Sequence, residues 1–325
     1  MRFKGFLLGL CLAGALSPQQ TELLRLEKTG DAMGSTFTIE IYGRDRIAME
    51  AAVDAAFDEV RRLDDVLSNY KRDSVWSEIN RTAAQRPVEV SPEMYQLLEQ
   101  CLEYSRASEG AFDITVGPLM KVWGFYKGSG KLPHRAEVSA ALTKVGYRHV
   151  RLDANARTVQ YDRPGVEIDP GGIGKGYAVD RMVNVLRQKG FQNALVAGSG
   201  SSIYGMGTPP AEARGWRIEI KNPWDTSRTA AEIFLKDMSL STSGSYEKFF
   251  RVGGRTYSHL MDPRTGYPAA GAASVSVIAP RTLDSEAWTK PYFVNGRQWA
   301  STHKLKDFRV FYCEDRMEKP CAWLQ

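Results

Sequence analysis

One stretch constrains this chain more than any other: Glu167-Ile168-Asp169-Pro170-Gly171-Gly172-Ile173-Gly174-Lys175-Gly176-Tyr177-Ala178-Val179-Asp180. An apolar run from Gly165 to Ile168 reads as a strand. A turn with glycines at 171, 172, 174 and 176 follows, and a helical pattern then continues to Lys189-Gly190. Glycines in such a turn let the backbone approach a ligand closely. The start of the helix offers free N–H groups to an anion, and Lys175 adds a point charge beside them. Together these features make a phosphate or pyrophosphate site. The stretch is not a Walker A loop, because Asp169 stands where its first glycine belongs and Gly176 where Ser or Thr must follow the lysine. Gly198-Ser199-Gly200 fails as a dinucleotide fingerprint, because Ile203 occupies the third glycine position. The bland alternative is a tight strand-to-helix turn with a solvated lysine.

Around this turn the pattern mixes strands and helices without regular alternation. Ser35 to Tyr42 alternates as a half-buried strand opened by Met33-Gly34. Residues 47–67 form a long amphipathic helix with Ala52, Ala56, Val60, Leu63 and Leu67 near helical spacing. Ser91-Pro92 starts a second helix, with Ser as its cap and Pro in its first turn. A short helix covers about 136–145, and short strands fit 149–152, 158–161 and 165–168. Further strands are expected at 193–197, 216–220, 232–235, 274–278 and 308–312. Gly253-Gly254 reads as a hairpin turn, and a helix is expected over 284–293. This arrangement predicts an α+β fold of mixed, largely antiparallel sheets with packed helices, not a doubly wound sheet.

The chain has 325 residues and a net charge of +5, with no long basic block. Nucleic-acid binding is therefore not indicated. Residues 1–15 read as a signal peptide, with Arg2 and Lys4 ahead of an apolar run and Ala13-Gly14-Ala15 as the cleavage site. Residues 16–30 read as a polar lead-in, and 31–325 as the folded domain. Cys11 invites a lipoprotein reading, but Leu10 precedes it where a small residue is expected. An exported chain can oxidise the nearby pair Cys313 and Cys321. Cys101, on a helical face, reads as buried and inert.

Polar groups in unusual settings are Tyr70, Asp113, Asp169, Lys175, His259 and Glu286. Each has a structural explanation. Tyr70 could end a helix by packing, Asp113 and Asp169 could cap turns, His259 could be a bonded core histidine, and Glu286 suits the first turn of its helix. Six motifs in order change that balance: Met33-Gly34-Ser35, Ser68-Asn69-Tyr70, Ala111-Phe112-Asp113-Ile114-Thr115-Val116-Gly117-Pro118-Leu119, the Asp169–Asp180 stretch, Ser241-Thr242-Ser243-Gly244-Ser245-Tyr246, and His259-Leu260-Met261-Asp262-Pro263-Arg264-Thr265-Gly266-Tyr267-Pro268. With these, the chain from Met33 to Gly296 resembles the ApbE-type FAD:protein FMN transferase family.

The resemblance implies two subdomains around a central FAD cleft. It implies metal-dependent transfer of the FMN half of FAD to a Ser or Thr hydroxyl of a target protein, releasing AMP, with Mg2+ as the usual metal. Position by position, it implies that Met33 and Tyr70 frame the flavin and that Ala111, Phe112 and Asp113 contact the nucleotide. Asp169 and Lys175 would hold FAD on either side of the glycine turn, and Leu260 would offer it backbone contact. His259 would be the base and the Gly172 carbonyl a metal ligand. Partners would be acceptor proteins such as extracytoplasmic redox-complex subunits, met at the periplasmic face of the inner membrane. The family's last metal motif reads roughly Asp-Ala-Leu-Ser-Thr. Counting back from Tyr292-Phe293-Val294-Asn295-Gly296 puts Glu286 at its Asp and Lys290 at its Thr, with Thr289 and Asp284 as alternatives. Glu286 keeps a carboxylate for a hard cation, whereas a charged lysine is no ligand. Two rival readings share the same site: an FAD pyrophosphatase giving FMN and AMP, and a non-catalytic FAD-binding protein.

Overall fold

The computed structural model describes residues 23–128, 130–316, 318 and 321–324. The alternating segment predicted from Ser35 forms a strand, Ser35–Gly43, with Phe37, Ile39 and Ile41 buried. The lead-in expected over 16–30 needs correction, because Leu24–Ala32 is itself a strand, paired antiparallel with Ser35–Gly43. Only Leu26 on it is fully buried. Its charged residues Arg25, Glu27 and Lys28 suit a sheet edge, and they hid it among polar sequence. Met33 (φ 54°) and Gly34 (φ 65°) form the two-residue turn between the strands, the left-handed geometry that a tight hairpin needs. The signal peptide expected over 1–15, Cys11 and residues 16–22 lie outside the described residues.

These two strands begin an eight-stranded antiparallel sheet. It continues through Ala194–Gly198, Ser202–Met206, Met238–Gly244, Ala272–Ala279, Arg309–Glu314 and Ala322–Trp323. The helices Arg46–Leu67, Gly174–Gln188 and Thr282–Thr302 cover one face, packing against Ile39, Val196, Val275, Val277 and Val310. A hairpin of Trp216–Lys221 and Thr229–Leu235 covers the other face, against Ile203, Leu240, Ile278 and Phe311. Ala272–Ala279 is buried at every position because both of its faces are covered. The remaining part gathers around Leu119, Trp123, Val138 and Met261, beside a three-stranded sheet of Val88–Glu89, Thr158–Tyr161 and Val150–Asp153. The fold is α+β with antiparallel sheets, as expected. Cys313 and Cys321 are joined by a disulfide across the last strand pair. The Cys101 thiol is free, and burial pushes its pKa up.

Three differences from the sequence reading have physical causes. Gly165 ends a turn (φ 82°), and residues 166–168 belong to no strand. The Ile168 amide donates to Asn80 Oδ1 (2.8 Å), and its carbonyl accepts from Asn80 Nδ2 and Trp76 Nε1 (3.0 Å each), so side chains replace the ladder. Ser202–Met206 and Met238–Gly244 are strands that the sequence pattern does not predict. The latter is a central strand because its hydroxyls are satisfied: Ser239 and Ser241 bond Ser285 Oγ (3.0 and 2.8 Å), and Ser243 bonds Thr289 Oγ1 (2.7 Å). The helix expected over 284–293 runs from Thr282 to Thr302, with a break at Gly296 (φ 83°).

The start of that helix is capped from a distance. Asp180 accepts from the Thr282 amide (2.7 Å) and the Leu283 amide (2.8 Å), taking up two otherwise unpaired helix donors. Burial raises its pKa to about 6, against the pull of these two bonds. Asp180→Ala strands both amides, and with ~1.5–3 kcal/mol per charged bond the loss is expected to be about 3–6 kcal/mol. Urea unfolding at neutral pH measures it; a loss below about 1 kcal/mol, the size of a weak neutral bond, would mean that Asp180 does not hold this helix.

Candidate active site

The glycine turn is shaped by Asp169. Its Oδ1 accepts from the Gly171 amide (2.7 Å) and caps a single 3-10 turn, Pro170–Gly172. Its Oδ2 accepts from Asn69 Nδ2 (2.8 Å) and from the Tyr126 hydroxyl. Burial raises the Asp169 pKa, and these donors oppose the shift. Asn69 Oδ1 is buried with no bonding partner. Neither Asn69 nor Tyr126 was singled out from sequence. Asn69 lies inside the Ser68-Asn69-Tyr70 motif and was overshadowed by Tyr70, whereas Tyr126 sits in an aromatic run with no distinguishing spacing. Tyr70 itself is 76% exposed and meets the Tyr126 ring edge-on at 6.1 Å.

The helix that follows starts at Gly174 without a side-chain cap from Ile173. One of its first amides, Gly176 N, is taken by Glu286 Oε2 at 2.5 Å. Glu286 is 3% exposed, and Gly176 lets it approach: a Cβ there would sit 2.8 Å from Oε2 and 2.5 Å from the Thr282 carbonyl oxygen. Met33 lies against the same helix start, its Cε 3.2 Å from where a Cβ on Gly174 would be. Phe112 and Lys290 close over Gly172, at 3.3 and 3.8 Å from its would-be Cβ. Ala111 is buried beside Phe112.

Two ammonium groups flank Glu286. Lys175 Nζ is 3.8 Å from Oε1. Lys290 Nζ donates to the Glu286 backbone carbonyl at 2.9 Å. Burial lowers the Lys290 pKa to about 8; Lys175 pushes the same way, and Glu286 opposes. His259 completes the cluster. Its amide and its Nδ1 both approach the Lys248 carbonyl (3.0 and 3.1 Å). With Nδ1–H donating there, the lone pair is on Nε2. Burial lowers the His259 pKa to about 4, and the nearby charges of Lys248, Lys290 and Lys175 add to the shift. Leu260 is buried next to it, its carbonyl accepting from the Ala269 amide (2.7 Å). Asp262 pairs with Arg264 (2.9 Å) and shapes that loop, and Thr265 Oγ1 accepts from the Tyr267 amide (3.4 Å).

The structure thus brings Met33, Phe112, Gly172, Lys175, Glu286 and Lys290 to the turn, with His259 within electrostatic reach of both lysines. It engages three other candidates elsewhere. Asp113 accepts from Thr115 N (2.8 Å), Thr115 Oγ1 (2.6 Å) and Tyr147 N (2.6 Å), so its carboxylate orders its own loop. Asp284 is held by Arg281 (2.6 Å) and Tyr104. The Thr289 hydroxyl is used by Ser243 and by the Glu286 carbonyl (2.7 Å each).

The donor set does not fit the divalent cation that the resemblance implies. Among the described residues no group of three or more His, Cys, Asp and Glu could hold a metal. Of the two carboxylates at the turn, Asp169 accepts from Gly171, Asn69 and Tyr126, and Glu286 accepts the Gly176 amide and lies 3.8 Å from Lys175. A hard cation takes several oxygen donors, and like charges at short range disfavour it.

Comparison with known proteins agrees with the architecture. The ApbE family model matches residues 33–308. A Klebsiella pneumoniae FAD:protein FMN transferase is 33% identical over 80% of this chain and 79% of its own. One from Treponema pallidum is 32% identical over 85% and 80%. The crystal structure of an ApbE protein from Thermotoga maritima superposes with a TM-score of 0.82 at 31% identity, covering 90% of this chain and 95% of its own. The apo flavinyl transferase ApbE of Pseudomonas stutzeri gives the same TM-score at 28% identity, over 93% and 95%. With its turn, its fold and its relatives in agreement, this chain belongs to the ApbE family.

Proposed function

We propose that this protein transfers FMN from FAD to a Ser or Thr hydroxyl of an acceptor protein. The observation that carries this reading is the glycine turn with Lys175 and Lys290 beside it, and His259 held through its amide and Nδ1 on the Lys248 carbonyl. Pyrophosphate cleavage needs positioning and charge neutralisation more than covalent catalysis by the protein. The ammonium groups and the open helix start bind the phosphate oxygens. The acceptor oxygen attacks the FMN-side phosphorus, and its proton passes to His259 Nε2. The P–O bond to the adenylate half breaks, and AMP leaves with the bonding electron pair. Asp169 holds the turn in shape through Gly171, Asn69 and Tyr126. The unpaired Asn69 Oδ1 awaits a donor, and both flavin and adenine carry N–H groups. No step is assigned to a divalent cation.

The acceptors on this reading are extracytoplasmic proteins of redox complexes. The basic and apolar start of the chain and the Cys313–Cys321 bond support work in an oxidising, exported setting. Incubation with FAD and an acceptor domain rich in Ser and Thr is expected to add an FMN mass to the acceptor and release AMP. Lys175→Met is expected to lower the rate by about 10–100-fold through loss of one charged contact. Free FMN with AMP and no labelled acceptor would favour the hydrolase. Intact FAD after tight binding would favour the binding protein.

A further inference from the structure

Lys290 is an ammonium placed inside the site with no carboxylate at ion-pair distance among the described residues; the charges of Glu286 and Glu247 act on it only from further away. Its one hydrogen bond runs to a backbone carbonyl four residues back on its own helix, Glu286 O at 2.9 Å. The Glu286 carboxylate faces elsewhere, to Gly176 N at 2.5 Å and to Lys175 at 3.8 Å. The Lys290 side chain lies against Gly172, its Cε 3.8 Å from the would-be Cβ. A largely buried cation that lacks a counter-ion is costly. A chain keeps one where an anion arrives to complete it. Here the anion would come to a turn that also carries Lys175.

We propose that Lys290 is a built-in cation for the pyrophosphate of FAD, so that this protein binds its donor without a divalent metal at the glycine turn. The identity of the anion rests on the transfer reading above; the cation itself rests on geometry. Lys175 and Lys290 carry two positive charges and Glu286 one negative. The three groups sum to +1, so with Lys290 present the turn offsets one of the two negative charges of the pyrophosphate diester, and without it none. A divalent cation added between those groups would meet two like charges at short range. The ammonium supplies charge without a coordination shell to complete. Its reach is set by the helix that Asp180 caps and that Gly176 lets approach.

The test is a calorimetric titration of FAD into the full chain, once in excess EDTA and once in excess magnesium, with no acceptor present. The two affinities are expected to agree within about threefold, well under the tenfold that one charged contact carries. Lys290→Met is expected to lose about 10–100-fold in EDTA, the value of one hydrogen bond between charged groups. Lys290→Arg keeps the charge and is expected to retain metal-independent binding. Lys290→Thr replaces the ammonium with an oxygen ligand, so its affinity is expected to become magnesium-dependent. A melting curve for each variant separates misfolding from lost binding; if Lys290→Met does not fold, the Arg and Thr variants decide. Tenfold or greater tightening of the unsubstituted chain by magnesium, or EDTA binding unchanged in Lys290→Met, overturns the proposal. Binding that depends on Lys290 but not on magnesium, with no FMN transferred to any acceptor, would sink the transfer reading and leave this one standing. Transfer and FAD binding that both require magnesium would do the reverse.

Discussion

His259→Ala is expected to slow FMN transfer by about 10²–10⁴-fold, the usual worth of a positioned general base, while FAD affinity changes by less than about threefold. The split follows from geometry. The imidazole is anchored through its backbone amide and Nδ1 to the Lys248 carbonyl, which orients Nε2 without using it. A base that takes up the acceptor proton contributes in the transition state and little in the ground state. Its pH behaviour is distinctive. Burial first, then the charges of Lys248, Lys290 and Lys175, depress its pKa to about 4. A depressed histidine pKa means that the neutral form is favoured in the fold. The associated stability is present above the unfolded value of about 6.5 and is lost as pH falls from there through about 4. The acid limb of kcat/KM, which reports the free enzyme, is therefore expected near pH 4 and not near 6.5. Lys290→Met removes one of the depressing charges and is expected to move that limb upward. FMN transfer rates across pH 4–8 check both points. An alanine variant with parental turnover would remove His259 from the base role. An acid limb near 6.5 would show that the imidazole is not held neutral by its surroundings.

Much of this site was legible because chemistry-bearing residues fall in short motifs. The glycine turn and Lys175 can be named from spacing, His259 stands out as a polar group in an unusual setting, and Glu286 takes its place from the alignment with the family's last motif. What spacing does not carry is which atoms each group has left to offer. Asp113 reads as a site residue, and spacing does not show that its oxygens also accept from Thr115 and Tyr147. Thr289 and Lys290 are adjacent in the chain and lie on different sides of the helix, one bonded to Ser243 and the other against Gly172. Only the packed helix separates them. Asn69 and Tyr126 reach Asp169 across 100 and 43 residues, a relation that no local pattern encodes. The same holds for the fold. Alternation revealed Ser35–Gly43 because one face is apolar. Leu24–Ala32 and Met238–Gly244 escaped it: the first is a charged edge strand, and the second buries hydroxyls that pair with Ser285 and Thr289.

Gly176→Ala is expected to destabilise the protein by about 2–4 kcal/mol and to abolish measurable FAD binding, even though alanine is the better helix former by about 1 kcal/mol. Two effects oppose each other, and distance decides between them. The added methyl carbon would stand 2.5 Å from the Thr282 carbonyl oxygen, 2.9 Å from its carbon and 2.8 Å from Glu286 Oε2. The nearest atoms are backbone, in the first turn of a helix tied down by Asp180, so relief requires the two helices to separate. Separation breaks the 2.5 Å bond from Gly176 to Glu286 and carries Lys290, on the same helix, away from Gly172. The charge cluster would then lose its geometry along with its packing. Gly174→Ala, two residues earlier, is the matching control. Its methyl would meet Pro170 Cβ at an ordinary 3.9 Å and the end of the Met33 side chain at 3.2 Å, a flexible group that moves at little cost. That variant is expected to keep its stability within about 1 kcal/mol, propensity gain included. Urea unfolding and FAD titration of the pair separate close helix approach from a general intolerance of side chains in the turn. If both variants lose stability equally, the helix contact at Gly176 is not what sets the site, and the turn itself must be.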